Sequence, residues 1–150
     1  MLGVSNINSY QVTDILRLAH FGDLPHNDTY IIRAHTSGYI STPSNASEDS
    51  HVHLFCLDVK GYEILTAYPL QLLAHSTTNE VMTVGVLGHL DKMSGAAAVP
   101  SSSIQLSGNE LLLEMSLKAF GQLGIYVFGP NTGLKVEQFK CATFHLLGTG

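Results

Sequence analysis

Two histidines with the spacing of metal ligands lie near the middle of the chain. His51 and His53 alternate with apolar residues in "HVHLFCLDV", so a strand would carry both imidazoles on one face. Imidazole is a common zinc ligand, but a zinc site needs further ligands from other elements. The further candidate ligands are His35, His75, His89 and Asp58. The sequence alone does not show whether any of them lies near the pair in space. We expect solvent-facing or hydrogen-bonded histidines, and we predict no metal and no other cofactor.

Two carboxylates flank a glycine-containing turn, and this pair is the second chemical candidate. Retaining glycoside hydrolysis uses two carboxyl groups about 5 Å apart, one of them kept protonated by burial. Asp58 and Glu63 stand on either side of Lys60-Gly61. Each occupies a position typical of a strand-end or solvent-face carboxylate. We therefore predict no catalytic residue, and the chain contains no nucleophile elbow, Walker loop, dinucleotide fingerprint or H-E-x-x-H motif.

The thiols and tyrosines also have a chemical and a structural interpretation. Cys56 and Cys141 lie in apolar runs that disfavour a thiolate, so we expect buried free thiols, although the spacing does not exclude a disulfide. Four tyrosines could form an aromatic platform for sugar rings, or could pack across strands, which is the commoner use. They are Tyr30, Tyr39, Tyr62 and Tyr68.

Composition limits the classes of protein to which the chain could belong. It has 150 residues, 45% of them apolar and 13% charged, and a formal net charge of −5. Such a length favours one domain and is too short for a (β/α)8 barrel of about 250 residues. The chain shows no basic stripe for nucleic acid, no membrane-spanning run and no signal peptide. We therefore expect a cytoplasmic protein that contacts neither nucleic acid nor membrane.

The first 28 residues have the least regular pattern. Val12, Ile15, Leu16 and Ala19 follow a helical spacing, which predicts a short helix that ends before Pro25. We therefore expect residues 1–28 to be an irregular lead-in with a short helix, and residues 29–150 to form the folded domain.

From Thr29 onward the pattern changes to a period of two. We predict a hairpin from "TYIIRAHT" and "YIST". Residues 42–50 are expected to form a polar loop without an apolar anchor. We further predict that "HVHLFCLDV" is a strand and that it pairs with "YEILTAY" across the Lys60-Gly61 turn. Pro69 is expected to end the second of these strands. "EVMTVGVLG" is typical of a strand covered on both faces, and "HLDKMSGAAAV" of a turn or a single helical turn.

The C-terminal third predicts further strands. "SIQLSGNELLLEMSLKAFGQLGIYVFG" indicates a hairpin followed by a third strand of a meander, and "FKCATFHLLG" a last strand. About nine or ten short strands result, with turn signals every 8 to 12 residues. We predict an all-β fold, an antiparallel β-sandwich.

The order of four segments resembles one family. "YIIRAHTSGYIS", "VKGYEILTAYPLQ", "VMTVGVLGHLDKMSGAAAV" and "LLLEMSLKAFGQLGIYVFG" resemble the C-terminal region of fungal raffinose synthase and seed-imbibition-type proteins. These proteins belong to glycoside hydrolase family 36 and its α-galactosidase relatives. The similarity extends roughly from Thr29 to the end of the chain.

This resemblance implies a division of labour between two domains. In the family, a (β/α)8 barrel carries the catalytic aspartates, and the matched region is a non-catalytic all-β domain packed against that barrel. The present sequence contains no barrel motif, so we expect a truncated family member that is inactive alone and whose partner is the barrel. The alternative is a stand-alone carbohydrate-binding module with weak affinity. Whether the parent enzyme hydrolyses α-galactosides or transfers galactose stays open.

Overall fold

A computed structural model describes residues 1–47, 52–74, 81–92, 95–107 and 110–129. These residues form ten β-strands and two short 3₁₀ turns, the latter at Leu18–Phe21 and Gly95–Ala98. The strands are β1 (Leu2–Ser5), β2 (Val12–Leu16), β3 (Thr29–Ala34), β4 (Ser44–Asn45), β5 (His53–Leu57), β6 (Tyr62–Ala74), β7 (Val81–His89), β8 (Ser101–Ser107), β9 (Glu110–Ser116) and β10 (Leu123–Phe128).

Strand β6 is the centre of the larger sheet. Its 13 residues pair antiparallel with β1 at the start, with β3 in the middle and with β7 at the end. The strand order is β10-β7-β6-β3-β4, and β1 lies beside the first part of β6. Two further antiparallel pairs, β2-β5 and β8-β9, form separate two-stranded sheets. One long strand therefore connects the N-terminal and C-terminal parts of the larger sheet.

Residues of alternate parity on β3 and β6 form two cores on opposite faces of this sheet. On one face, Ile32 and Leu65 pack with Leu16 of the β2-β5 pair. On the other face, Ile31 and Tyr68 pack with residues that include Leu87 of β7. This is the period of two expected of a strand buried on both sides. The layered antiparallel arrangement confirms the predicted all-β sandwich.

The predicted helix in the first 28 residues is wrong. Val12–Leu16 forms strand β2, which pairs antiparallel with β5, and only Leu18–Phe21 makes a 3₁₀ turn. The β-branched side chains of Val12, Thr13 and Ile15 favour an extended backbone, and β5 supplies its hydrogen-bonding partner. The helical spacing of apolar residues was coincidental, since Ile15 is exposed. Residues 1–28 were expected to be an irregular lead-in, but β1 and β2 in this segment both belong to β-sheets.

Two predicted strand pairings are also wrong. The turn at Lys60-Gly61 is present, but β5 pairs with β2 and the chain crosses to the other layer before β6 begins. Beside Leu65, both edges of β6 are already occupied, by β1 and by β3. Similarly, β8 and β9 form the predicted hairpin, but β10 pairs with β7 and leaves the meander incomplete.

Two local expectations change as well. Strand β6 continues through Pro69, which lies opposite Tyr30, and it exchanges β3 for β7 as its partner just beyond this point. The described part of the polar loop expected at 42–50, residues 42–47, is anchored, because β4 pairs with β3 and Ala46 packs against the first core. A short pairing segment of this kind carries no hydrophobic pattern that a sequence could show.

Other predicted elements are confirmed. β3 turns back through Gly38, which has a φ of 72°, to an antiparallel bridge between Arg33 and Ile40. β7 is buried along most of its length, and a single 3₁₀ turn follows it. The last predicted strand, residues 139–148, lies outside the described residues.

Candidate functional site

The two candidate carboxylates lie at either end of the turn that connects the two layers. The Gly61 N–H donates to the Asp58 carbonyl at 2.8 Å, and Lys60 takes a left-handed φ of 59°. A side chain on Gly61 would lie 2.9 Å from that carbonyl oxygen, which is too close for a real Cβ. Glycine is therefore required where the chain doubles back on itself.

Glu63, at the start of β6, is buried with only 6% of its surface exposed. Its Oε1 accepts the backbone N–H groups of Thr36 at 2.6 Å and of Ile64 at 2.9 Å, and its Oε2 accepts that of Ser37 at 2.9 Å. Burial raises the pKa of this carboxyl, but the hydrogen bonds from Thr36, Ser37 and Ile64 outweigh it, and the pKa lies below its ordinary value. The expected solvent-face carboxylate is thus a buried anion that holds the β3 hairpin.

Asp58 has a different environment. It is exposed, and its carboxylate accepts a hydrogen bond from the Gln11 side chain at 2.8 Å. A retaining glycosidase needs one carboxyl group that stays protonated. The backbone hydrogen bonds to the Glu63 carboxyl instead favour the ionised form of Glu63. The Asp58 carboxylate therefore makes one exposed hydrogen bond, the Glu63 carboxylate holds the β3 hairpin, and these environments do not suit an acid and nucleophile pair.

The histidines inside the described ranges do not assemble into a metal centre. Of the candidates inside the described ranges, His53 is buried at the start of β5, His89 is fully buried at the end of β7, and His35 is half-buried after β3. His51 and His75 lie outside these ranges. Within the described part of the chain, no group of three histidine, cysteine or acidic side chains is close enough to hold a metal ion.

The four tyrosines occupy two different environments. Tyr30 lies in the first core and Tyr68 in the second, on opposite faces of the larger sheet. Tyr39 and Tyr62 are more than half exposed. Burial raises the pKa of Tyr30, as do the charge of Asp28 and a hydrogen bond to it. The platform of four rings is therefore divided, and two of its members serve as core residues.

Cys56 is exposed on the outer face of β5, which corrects the expectation of a buried thiol. The Thr13 hydroxyl on β2 lies 3.6 Å from its sulfur. The residues around Cys56 are apolar, but burial alternates along β5, and Cys56 lies on the exposed outer face. Cys141 lies outside the described residues.

An open cleft of about 260 Å³ separates β5 from the β3 hairpin. All five residues of β5 line one side of it, and Ser37 and Tyr39 line the other. Its lining is mainly apolar, and Glu63 is among the lining residues. A second cavity of about 380 Å³ lies near Asn6 and Asp14. Both are open spaces beside the two-stranded β2-β5 sheet.

Two buried polar side chains were missed by sequence reasoning. The Asn6 amide donates to the carbonyls of Tyr10, Leu57 and Asp58 at 2.8 to 3.1 Å, which joins the N-terminal loop to the layer-crossing turn. Arg33 is buried on β3, and its guanidinium donates to the Leu90 carbonyl at 3.0 Å. The polar segment "NINS" could have suggested an Asx-type turn at Asn6. Nothing local indicated the role of Arg33.

Comparison with known proteins gives no family assignment. No family model matches the chain, and neither a curated protein nor a solved structure matches it. None of the helices in the described ranges is long and apolar enough to cross a membrane. The resemblance to glycoside hydrolase family 36 therefore stays a prediction from the sequence.

Proposed function

We propose that this chain is a non-catalytic β-sandwich module of an α-galactoside-processing enzyme of the raffinose synthase and α-galactosidase type. In this proposal, a (β/α)8 barrel performs the chemistry and the sandwich packs against it. The chain alone is inactive, whether the parent enzyme hydrolyses α-galactosides or transfers galactose.

The position of Glu63 is the observation that carries the non-catalytic assignment. This carboxylate is the buried acidic group of the turn that the sequence singled out, and three backbone N–H groups occupy it. A catalytic acid or nucleophile must instead present a free oxygen to the substrate. The binding of Glu63 to the β3 hairpin therefore supports a structural role for the most distinctive segment of the chain.

The location of the resembling segments supports the same proposal. "YIIRAHTSGYIS" contains most of β3, "VKGYEILTAYPLQ" contains most of β6, and "VMTVGVLGHLDKMSGAAAV" contains all of β7. These three strands are neighbours in the larger sheet, with β6 between the other two. The fourth segment, "LLLEMSLKAFGQLGIYVFG", contains β10 of the same sheet and most of β9, which pairs with β8 in a separate sheet. Most of the residues that suggest the family therefore build the larger sheet.

Two measurements test this proposal. The purified chain should hydrolyse an aryl α-galactoside no faster than buffer, and Asp58→Asn should change nothing. In addition, co-expression with a family 36 barrel that lacks its own C-terminal domain should yield a co-purifying complex with higher soluble activity. Activity of the chain alone that is lost in Asp58→Asn would overturn the non-catalytic assignment. Failure to associate with several such barrels would remove the family assignment.

A carbohydrate-binding module is the second candidate, and the cleft beside β5 favours it. Tyr39 lines this cleft with half of its surface exposed, and the polar residue Ser37 lines it beside Tyr39. An aromatic face next to polar groups is a common arrangement for weak sugar binding. Titration with raffinose, melibiose and galactose, followed by NMR, should shift the Tyr39 resonances and not those of Tyr62. An unchanged spectrum at millimolar sugar would exclude this candidate.

A further inference from the structure

Arg33 places a permanent positive charge inside the fold. It lies on β3 with 9% of its surface exposed, and it follows Ile31 by two residues, so its side chain is on the face of the second core. Guanidinium groups remain protonated in proteins, so burial does not neutralise them. A buried charge normally has a counter-ion, because an unpaired charge is costly to remove from water.

Arg33 has no counter-ion among the residues that the structure describes. Its guanidinium donates to the Leu90 carbonyl at 3.0 Å, and no carboxylate in these ranges forms an ion pair with it. Asp91 is adjacent to Leu90 in sequence, but its Oδ1 lies 3.0 Å from the point that a Cβ on Gly121 would occupy. A guanidinium has five N–H donors, so most of those on Arg33 are unused.

The unused N–H groups of Arg33 reach solvent beside two further polar side chains. In the described ranges, none of the buried side-chain atoms that lack a hydrogen bond belongs to Arg33. Thr66 lies directly opposite Arg33 on β6, so both side chains are on one face, and Thr66 is half-buried. His35 follows about 7 Å along the chain, where its N–H still donates to the Ile64 carbonyl of β6, and its buried Nδ1 has no partner in the described structure.

We propose that Arg33 binds a small carboxylate through two N–H groups of its guanidinium. The planar fork of an arginine matches the two oxygens of a carboxylate and forms two parallel, charge-assisted hydrogen bonds. The Thr66 hydroxyl is a further donor on the same face.

The charge and burial of Arg33 define the class of ligand. One guanidinium balances the charge of a monocarboxylate, whereas it compensates only half the charge of a phosphate dianion. Because nine-tenths of the Arg33 surface is covered, the ligand has to be small or narrow at its carboxylate end. The inference does not depend on the proposed enzyme family.

An NMR titration of the full chain tests this inference directly, because the chain contains two arginines, Arg17 and Arg33. Each arginine gives one side-chain Nε–Hε signal, and Arg17 is exposed just before the 3₁₀ turn at Leu18–Phe21, so it is the internal control. Sodium acetate should replace sodium chloride at constant ionic strength and pH. The Arg33 signal should shift saturably, with half-saturation between about 1 and about 20 mM acetate, and the Arg17 signal should stay nearly unchanged. Acetamide, which has no charge, should shift neither signal, and phosphate should bind more weakly than acetate.

Arg33→Lys provides a second measurement, because lysine keeps the charge and lacks the planar fork. The backbone amide of Thr66 reports on binding in this variant, and the half-saturation concentration of acetate should rise at least about fivefold. Arg17→Lys is the matched control and should leave it unchanged, and circular dichroism should show that both variants are folded. The wild-type titration decides alone if Arg33→Lys does not fold.

Three results would overturn the proposal. The first is an Arg33 signal that does not move up to about 100 mM acetate, a concentration well above the expected half-saturation. The second is phosphate binding that is tighter than acetate binding. The third is an equal affinity for acetate in wild type and a folded Arg33→Lys variant.

Discussion

The substitution Glu63→Gln should destabilise the fold through the β3 hairpin. Oε1 of Glu63 accepts two N–H groups, from Thr36 and Ile64, and a glutamine carbonyl can keep both as weaker, neutral hydrogen bonds. Oε2 accepts the Ser37 N–H, and there the glutamine would place an NH₂ group against another donor. Losing this bond and weakening the other two should cost about 2 kcal/mol of unfolding free energy, given that water reaches the exposed Ser37.

The pH dependence distinguishes this explanation from a simple packing defect. The pKa of Glu63 in the folded chain lies below its ordinary value of 4.5, because the hydrogen bonds outweigh the effect of burial. The stabilisation is therefore fully present above about pH 4.5 and is lost as the pH falls through the folded-state pKa. Since Glu63→Gln cannot titrate at this position, the difference between wild type and variant should shrink in acid.

Urea denaturation at pH 7 and at several lower pH values measures this difference directly. Asp58→Asn is the matched control, because Asp58 is exposed and accepts one side-chain hydrogen bond from Gln11. Its effect should stay within about 0.5 kcal/mol at neutral pH. Equal stability of wild type and Glu63→Gln at pH 7, or a difference that does not vary with pH, would refute the assigned role of Glu63.

Three further perturbations test the packing. Gly88→Ala should lower the free energy of unfolding by more than about 2 kcal/mol, because Gly88 has a φ of 71° and a Cβ there would collide with the backbone of Gly95. Gly3→Ala is the control and should be tolerated, because a Cβ on Gly3 has open space. Chemical denaturation of both variants measures the difference. Ile31→Ala removes a fully buried side chain and should cost about 3 kcal/mol by the same measurement, and no loss would place Ile31 outside the core. Cys56 should react with a thiol reagent in the native state at a rate near that of a free thiol, when the other cysteine is serine; protection until unfolding would contradict its exposure.

The positions of most strands could be predicted from the sequence, because each strand has its own local pattern. Alternation in "YEILTAY" marks β6, and a continuous apolar run marks β7. Strand partners could not be predicted in the same way, because no local residue encodes them. β5 pairs with β2, more than 35 residues away, although its neighbour in sequence is β6. The occupied edges of β6 decide this, and they depend on the whole sheet.

The candidate site shows the same limit. The sequence identified Glu63 as one of two carboxylates at a turn, but it gave no sign that the β3 hairpin would fold back onto this residue. Burial and three N–H donors come from Thr36, Ser37 and Ile64, and two of these lie more than 25 residues away. The helix predicted from Val12, Ile15, Leu16 and Ala19 failed for a related reason, since the pairing of β2 with β5 overrode the local helical spacing.

The position of β6 also has a consequence for folding kinetics. Leu2 of β1 pairs with Leu65, and β2 pairs with β5, so the first strands bond to segments made much later. Such non-local pairing slows folding, because the entropy cost of closing a long loop comes before the stabilising contacts form. During synthesis, the first 16 residues leave the ribosome without their partners. They have to wait, unpaired, until β5 and β6 have been translated.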